Sequence, residues 1–317
     1  MGLLSGSASV TRFAVTARPP EPDFDSAAFH AIAPGSEVRE SIGFVPFELG
    51  APYQVGNARW AFRVRIDRLR PDPTAVGERV KQLLAAEMEA TGAPFVGRDK
   101  RRRLKELAEE ELIVHAAPRS KIVEGALDGD VLYLGTTAKN AVGLVTGLLR
   151  RIGVTGEPKA PWLDRAEPEV ASEVVPLRDA GQSVLGCRFL AALAGETDLF
   201  FEPIAGSVRL LAGETKVSLA GVVLADLLAY LERGAEVLAG KLTTGEVTFR
   251  LDGASWRIGG LAVETGRHDH WTELLDERLE KIAAVYELLD AKYAQLDPLA
   301  QGAPVPAEAG RPEVAVH

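Results

Sequence analysis

Lys121–Gly135 reads KIVEGALDGDVLYLG, two short aliphatic runs joined by Asp128-Gly129. An Asp-Gly pair between such runs marks a tight hairpin, because the glycine takes the positive φ that a primed turn requires. A hairpin fixes antiparallel pairing, and a helix follows it at once. Ala141, Leu144, Val145, Leu148, Leu149 and Ile152 recur at three- and four-residue spacing, with Thr137 as the expected cap and Arg150 and Arg151 near the negative end. The second half repeats the style. Val247–Glu264 (VTFRLDGASWRIGGLAVE) turns about Asp252-Gly253, and a helix from Thr272 to about Leu296 carries Leu275, Leu279, Ile282, Tyr286 and Leu289 on one side. Hairpins that alternate with packed helices predict an α+β chain of antiparallel and mixed sheets.

The remaining segments fit that class. Thr11–Ala17 alternates as a strand, and the proline- and Asp-marked stretch after it predicts a short helix. Ser41–Phe47 and Arg59–Ile66 predict further strands. In the second of these, Trp60, Phe62, Val64 and Ile66 share one face, while Arg59, Ala61, Arg63 and Arg65 share a cationic outer face. Val80, Leu83, Leu84 and Met88 mark a helix that stops at Thr91-Gly92, and a second helix begins with RDKRRRLKELAEEEL at Arg98. Its apolar stripe is Leu104, Leu107, Ala108 and Leu112, and Pro118 ends it. Later, GCRFLAALAG and LADLLAYLERG predict helices, and VRLLAG and KVSLAGV predict strands. The expected organisation is an N-terminal α/β region over 1–155 with the basic helix, a proline-rich acidic connection over 156–180, and a second α/β region over 181–297. A tail over 298–317 is disordered by composition.

Composition narrows the function. With 36 Lys plus Arg against 45 Asp plus Glu, the 317-residue chain has a formal net charge of -9, so its surface repels polyanions on average and any anion binding must be local. No stretch is long and apolar enough to span a bilayer, the start MGLLSGSASV lacks a secretion-signal pattern, and the single Cys187 suits a reducing compartment; a cytoplasmic protein is expected. Neither a GxxxxGK[ST] loop, a GxGxxG loop nor a GxSxG elbow occurs, and Cys187 lies among apolar neighbours as a packed thiol. No enzyme activity and no cofactor are expected. RHDHW at Arg267–Trp271 is the candidate metal motif of a competing nuclease or phosphoesterase reading, with His268, His270 and either Glu264 or Glu273. Otherwise it is a polar turn into the last helix, capped by Asp269 or Thr272.

The basic run holds six cations and one acid between Arg98 and Lys105. As a solvated helix face it would pair Arg102 and Arg103 with Glu106, and Lys105 with Glu109, at three- and four-residue spacing, but Lys100 and Arg101 meet no acid at that distance. Cations also gather at Arg63, Arg65, Arg68 and Arg70, at Arg119 and Lys121, and at Arg150 and Arg151. If some of them meet on one concave face, an acidic protein can still hold a phosphate backbone. A third reading is an assembly protein with no DNA role.

Several segments resemble the recombination-associated protein RdgC family. They are SIGFVPF (41–47), RLRPDPTAVGERVKQLLAAEMEATG (68–92) with RRRLKELAEEELIVHAAPRS (101–120), GALDGDVLYLGTTAKNAVGLVTGLLRRIG (125–153), LGCRFLAALAG (185–195) and LADLLAYLERGAEVLAGKLTTGEVTFRLDGASWRIGGLAVE (224–264). The resemblance rests on their order and spacing over most of residues 10–297. It implies a crescent-shaped α/β subunit, a ring-like homodimer around duplex DNA, sequence-nonspecific binding, restraint of the RecA recombinase by occupying DNA, and association with the nucleoid. By matching position it implies DNA contacts at Arg98, Lys100, Arg101, Arg102, Arg103, Lys105, Arg119, Lys121 and Lys216. The chain departs from the family in its longer proline-rich tail and in fewer lysines around VRLLAGETKVSLAG.

Overall fold

The structure, a computed structural model, describes residues 2–33, 35–36, 38–56, 59–114, 116–163, 182–203, 205–221 and 224–298. The expected tail and most of the expected connection lie outside the described residues. The strands are β1 (Ala8–Ala17), β2 (Glu40–Val45), β3 (Gln54–Val55), β4 (Arg59–Leu69), β5 (Pro118–Asp128), β6 (Val131–Leu134), β7 (Thr155–Pro158), β8 (Phe200–Phe201), β9 (Ser207–Ala212), β10 (Thr215–Ala220), β11 (Glu236–Thr243), β12 (Thr248–Asp252) and β13 (Arg257–Leu261). The helices are α1 (Pro73–Thr91), α2 (Arg98–Ile113), α3 (Lys139–Arg151), α4 (Leu185–Ala192), α5 (Leu224–Leu231) and α6 (Trp271–Leu296). The chain is α+β with extensive antiparallel sheet, as the hairpins required.

It divides into two compact units, one of Met1–Pro22, Gln54–Ala61 and Glu124–His317, the other of Asp23–Tyr53 and Phe62–Val123. This division cuts across the expected one at 156–180. The reason is in β1, whose residues pair with β6 and β7 from the first half of the chain and with β13 from the second, so both halves contribute to one sheet.

In the first unit the strand order runs β10-β9-β11-β12-β13-β1-β6-β5, with β7 on β1, β8 on β11 and β3 on the start of β4. The Asp128-Gly129 hairpin forms as read, Asp128 facing Val131 and Gly129 at φ 56°. α6 buries Leu275, Leu279, Ile282, Tyr286 and Leu289, the stripe expected from its spacing, and the Tyr286 hydroxyl donates to the Val10 carbonyl at 3.1 Å. α4 lies close to the turn after β12: a Cβ on Gly186 would sit 1.9 Å from the Gly253 carbonyl oxygen, so only glycine fits. Trp162, Phe189, Trp256 and Tyr293 form an aromatic cluster with centroid separations of 5.1–6.1 Å. Lys292, buried on α6, donates to Glu196 at 2.5 Å and Asp198 at 3.0 Å.

The second unit pairs β2 with the later part of β4, Phe44 facing Val64, and sets β5 beside β4. Phe24, Phe44, Phe62 and Tyr53 make its aromatic core. Gly43 is required there, because its Cβ would fall 2.3 Å from the Phe29 Cα. α1 starts at Pro73, capped by Asp72, whose carboxylate accepts from the Thr74 and Ala75 N–H groups, and ends at Gly92 with φ 66°.

Some local expectations are corrected. After β1 there is only a single 3-10 turn, Asp25–Ala27, in place of a helix. α3 is capped by Ala138, not Thr137: the hydroxyl of Thr136 accepts from the Ala138 N–H, which moves the helix start one residue on. β7 lies inside the stretch expected to be a connection, because Gly156 permits close approach to the Ala14 carbonyl.

Candidate nucleic-acid interface

α2 is a helix because its cation-rich opening and acid-rich close are long-chain helix formers, and its apolar stripe gives it one face to bury. Leu104 and Ala108 are buried, while Leu107, expected on the same stripe, is 42% exposed, since it lies to one side of the contact with α1. The two helices run antiparallel: Arg79 near the start of α1 pairs with Glu111 near the end of α2 at 2.6 Å, and Glu87 near the end of α1 pairs with Lys100 at 3.1 Å. Lys100 therefore has an acid partner after all, supplied by the neighbouring helix. Arg102 meets Glu106 at 3.9 Å and Lys105 meets Glu109 at 3.6 Å, but the expected Arg103 pair with Glu106 is not made.

Arg98, Arg101 and Arg103 are exposed and make no ion pair among the described residues. With 3.6 residues per turn, Arg98, Arg101, Arg102 and Lys105 lie within an arc of about 100° on one flank of α2. In the turn joining α1 and α2, Pro94 restricts the backbone and Val96 is buried, while Phe95 between them is 70% exposed. An exposed aromatic next to cations suits stacking on a base. Its signal, a lone aromatic inside TGAPFVG, is in the sequence but has no periodicity to mark it.

Arg119 and Lys121 are exposed at the start of β5. The intervening Ser120 is on the other side of the strand, where its hydroxyl meets Arg65 Nη2 at 3.2 Å, so Arg119 and Lys121 face away from Arg65. The arginines of β4 are engaged within the unit and do not form an open cationic face. Arg63 donates to the Pro46 and Phe47 carbonyls, Arg65 forms a two-pronged pair with Asp67 and lies over Phe29, and Arg68 pairs with Glu40. Asp67 is held below the usual carboxylate range, chiefly by its hydrogen bond from Arg65. Lys216 is exposed on β10 and belongs to the first unit, so the expected contact residues are divided between the units.

One histidine of the motif is engaged by a carboxylate. His268 Nε2 lies 2.5 Å from Glu277, whose carboxyl is pulled down to about 2, first by Lys281 and then by His268. His270, neither Asp269 nor Thr272, is the residue at the start of α6, and its side chain makes no capping bond. Among the described residues no group of three or more His, Cys, Asp or Glu side chains is placed to hold a metal ion. Cys187 is buried, and burial pushes its thiol well up. No described helix is long and apolar enough to cross a membrane.

No family model matches the chain, and no curated protein matches it.

Proposed function

We propose that this chain is a sequence-nonspecific DNA-binding protein that occupies duplex DNA as a ring-like homodimer of crescent-shaped subunits, and that it modulates homologous recombination by restraining RecA. The observation that carries the DNA reading is the first half of α2, where Arg98 and Arg101 are exposed without acid partners among the described residues on a flank shared with Arg102 and Lys105, and Arg103, likewise unpaired, is exposed outside that arc. The resemblance to the RdgC family supplies the recombination role, the ring and the nucleoid location.

Nonspecific binding draws on counterions released when cations meet phosphates, so log K falls with log salt by about 0.9 for each phosphate neutralised on duplex DNA. A dimer contributing a few contacts from each subunit gives a slope of roughly -4 to -8. Reversing Arg101, Arg102 and Arg103 to Glu is expected to flatten that slope and weaken binding to every sequence alike, while reversing Arg150 and Arg151 does much less. Fluorescence anisotropy across a salt series reads both. Wild-type affinity and slope in the triple variant would end the DNA reading of α2. Light scattering is expected to give twice the monomer mass at micromolar concentration, and a monomer there would end the ring.

A further inference from the structure

Residues that face each other across antiparallel strands share a side of the sheet. In the first unit Val208, Leu210, Leu242, Phe249, Leu251 and Ile258 are buried on one side. The other side carries a row of cations. Arg209 faces Ala239, two residues before Lys241; Lys241 faces Arg250 directly; and Arg250 faces Gly259. Directly opposed like charges, with Cβ atoms about 5 Å apart, destabilise a sheet.

Arg250 is the telling member of the row. It is half-buried, and its guanidinium makes no hydrogen bond or ion pair among the described residues. Its pKa is lowered, first by desolvation and then by Arg209. Asp252, two residues along the same strand, attracts Arg250 but is already taken: it accepts from Arg209 at 3.1 Å and from the Ser255 hydroxyl at 2.7 Å. Lys241 Nζ reaches the Ala205 carbonyl at 3.2 Å, and Glu202, whose N–H donates to the Lys241 carbonyl, is an acid on the β8 side. Between the cations the surface is low. Ala239 is buried, and a Cβ on Gly259 would meet only the Ser9 hydroxyl, 3.9 Å away.

A desolvated guanidinium with two cations ranged along one side, only a glycine on the other and no acid of its own is costly unless an anion joins it. We infer that Arg209, Lys241 and Arg250 form a phosphate-binding site on this face, with Gly259 and Ser9 leaving room for the phosphate oxygens. Arginine forks match phosphate in geometry as well as charge. The phosphate belongs either to a nucleic-acid backbone or to a free phosphomonoester. The site lies in the first unit and stands independently of the α2 reading.

Thermal unfolding of the full chain, with inorganic phosphate titrated against chloride at constant ionic strength, tests it. The wild type is expected to gain at least about 2 °C, rising with the logarithm of phosphate concentration once that exceeds the dissociation constant, as one-site linkage requires. Arg250→Gln should lose that gain and, in chloride, melt no lower than the wild type, because the opposed charges are relieved. Arg250→Lys should keep part of the gain, which covers a Gln variant that fails to fold. Salt-dependent DNA binding separates the sources: a backbone phosphate makes the Arg250→Gln slope shallower by about 0.9 per site, whereas a free phosphomonoester leaves it unchanged while the thermal gain still depends on Arg250. If Arg250→Gln alters neither the phosphate response nor the salt slope, the site is wrong, whatever the α2 variants do.

Discussion

Replacing Trp256 by alanine is expected to cost about 3–5 kcal/mol of folding stability, the range for deleting a large buried aromatic. The indole is buried between Trp162, Phe189 and Tyr293, all with ring centroids within 5.6 Å of its own, and its Nε1–H donates to Asp290 at 3.0 Å. Alanine would open a cavity among rings that cannot all close in, and would leave Asp290 one donor short. Trp256 also holds φ at 54°, where any residue except glycine is strained, so alanine keeps the strain and loses the packing. Trp256→Phe should retain most of the burial and lose only the hydrogen bond, about 1 kcal/mol. Urea unfolding orders the three proteins, and near-ultraviolet circular dichroism should lose most of its aromatic signal in the alanine variant alone. If alanine and phenylalanine cost the same, the cluster is not what holds α6 to its sheet.

How far the sequence foretold this core depends on which residues are considered. The stripe of α6 was legible, since Leu275, Leu279, Ile282, Tyr286 and Leu289 keep helical spacing and all are buried. The Asp128-Gly129 hairpin was legible from turn chemistry; the second hairpin forms at Asp252, but through a four-residue loop in which Trp256, not Gly253, takes the positive φ. β11 was not: a bulge between Val237 and Ala239 shifts its phase, so Val237, Ala239, Gly240, Leu242 and Thr243 are all buried and no two-residue alternation remains. The candidate interface divides the same way. The run Arg98–Lys105 announces itself by local density. The pair of Lys100 with Glu87 and the alignment of Arg209, Lys241 and Arg250 depend on partners distant in sequence, which only helix pairing and strand register bring together.

Arg12→Ala is expected to destabilise the chain by about 3 kcal/mol, the low end of the range for removing one partner of a buried ion pair. Arg12 is 5% exposed by side chain, donates to both oxygens of Asp290 at 3.0 and 2.8 Å, and lies 4.3 Å from the centroid of the Tyr286 ring. Asp290 is 31% exposed, so water can reach the carboxylate left behind, and this keeps the cost from the upper end. Asp290 also accepts the Trp256 N–H, which ties β1, the turn before β13 and α6 to one carboxylate. Two residues sharing one acceptor should not act additively with it. In a double-mutant cycle, Arg12→Ala combined with Asp290→Ala should cost less than the two changes summed, by about 0.5–3 kcal/mol, because the second removal relieves the charge stranded by the first. Additive costs would mean that Arg12 acts through its packing on Tyr286, and that the carboxylate does not join these elements.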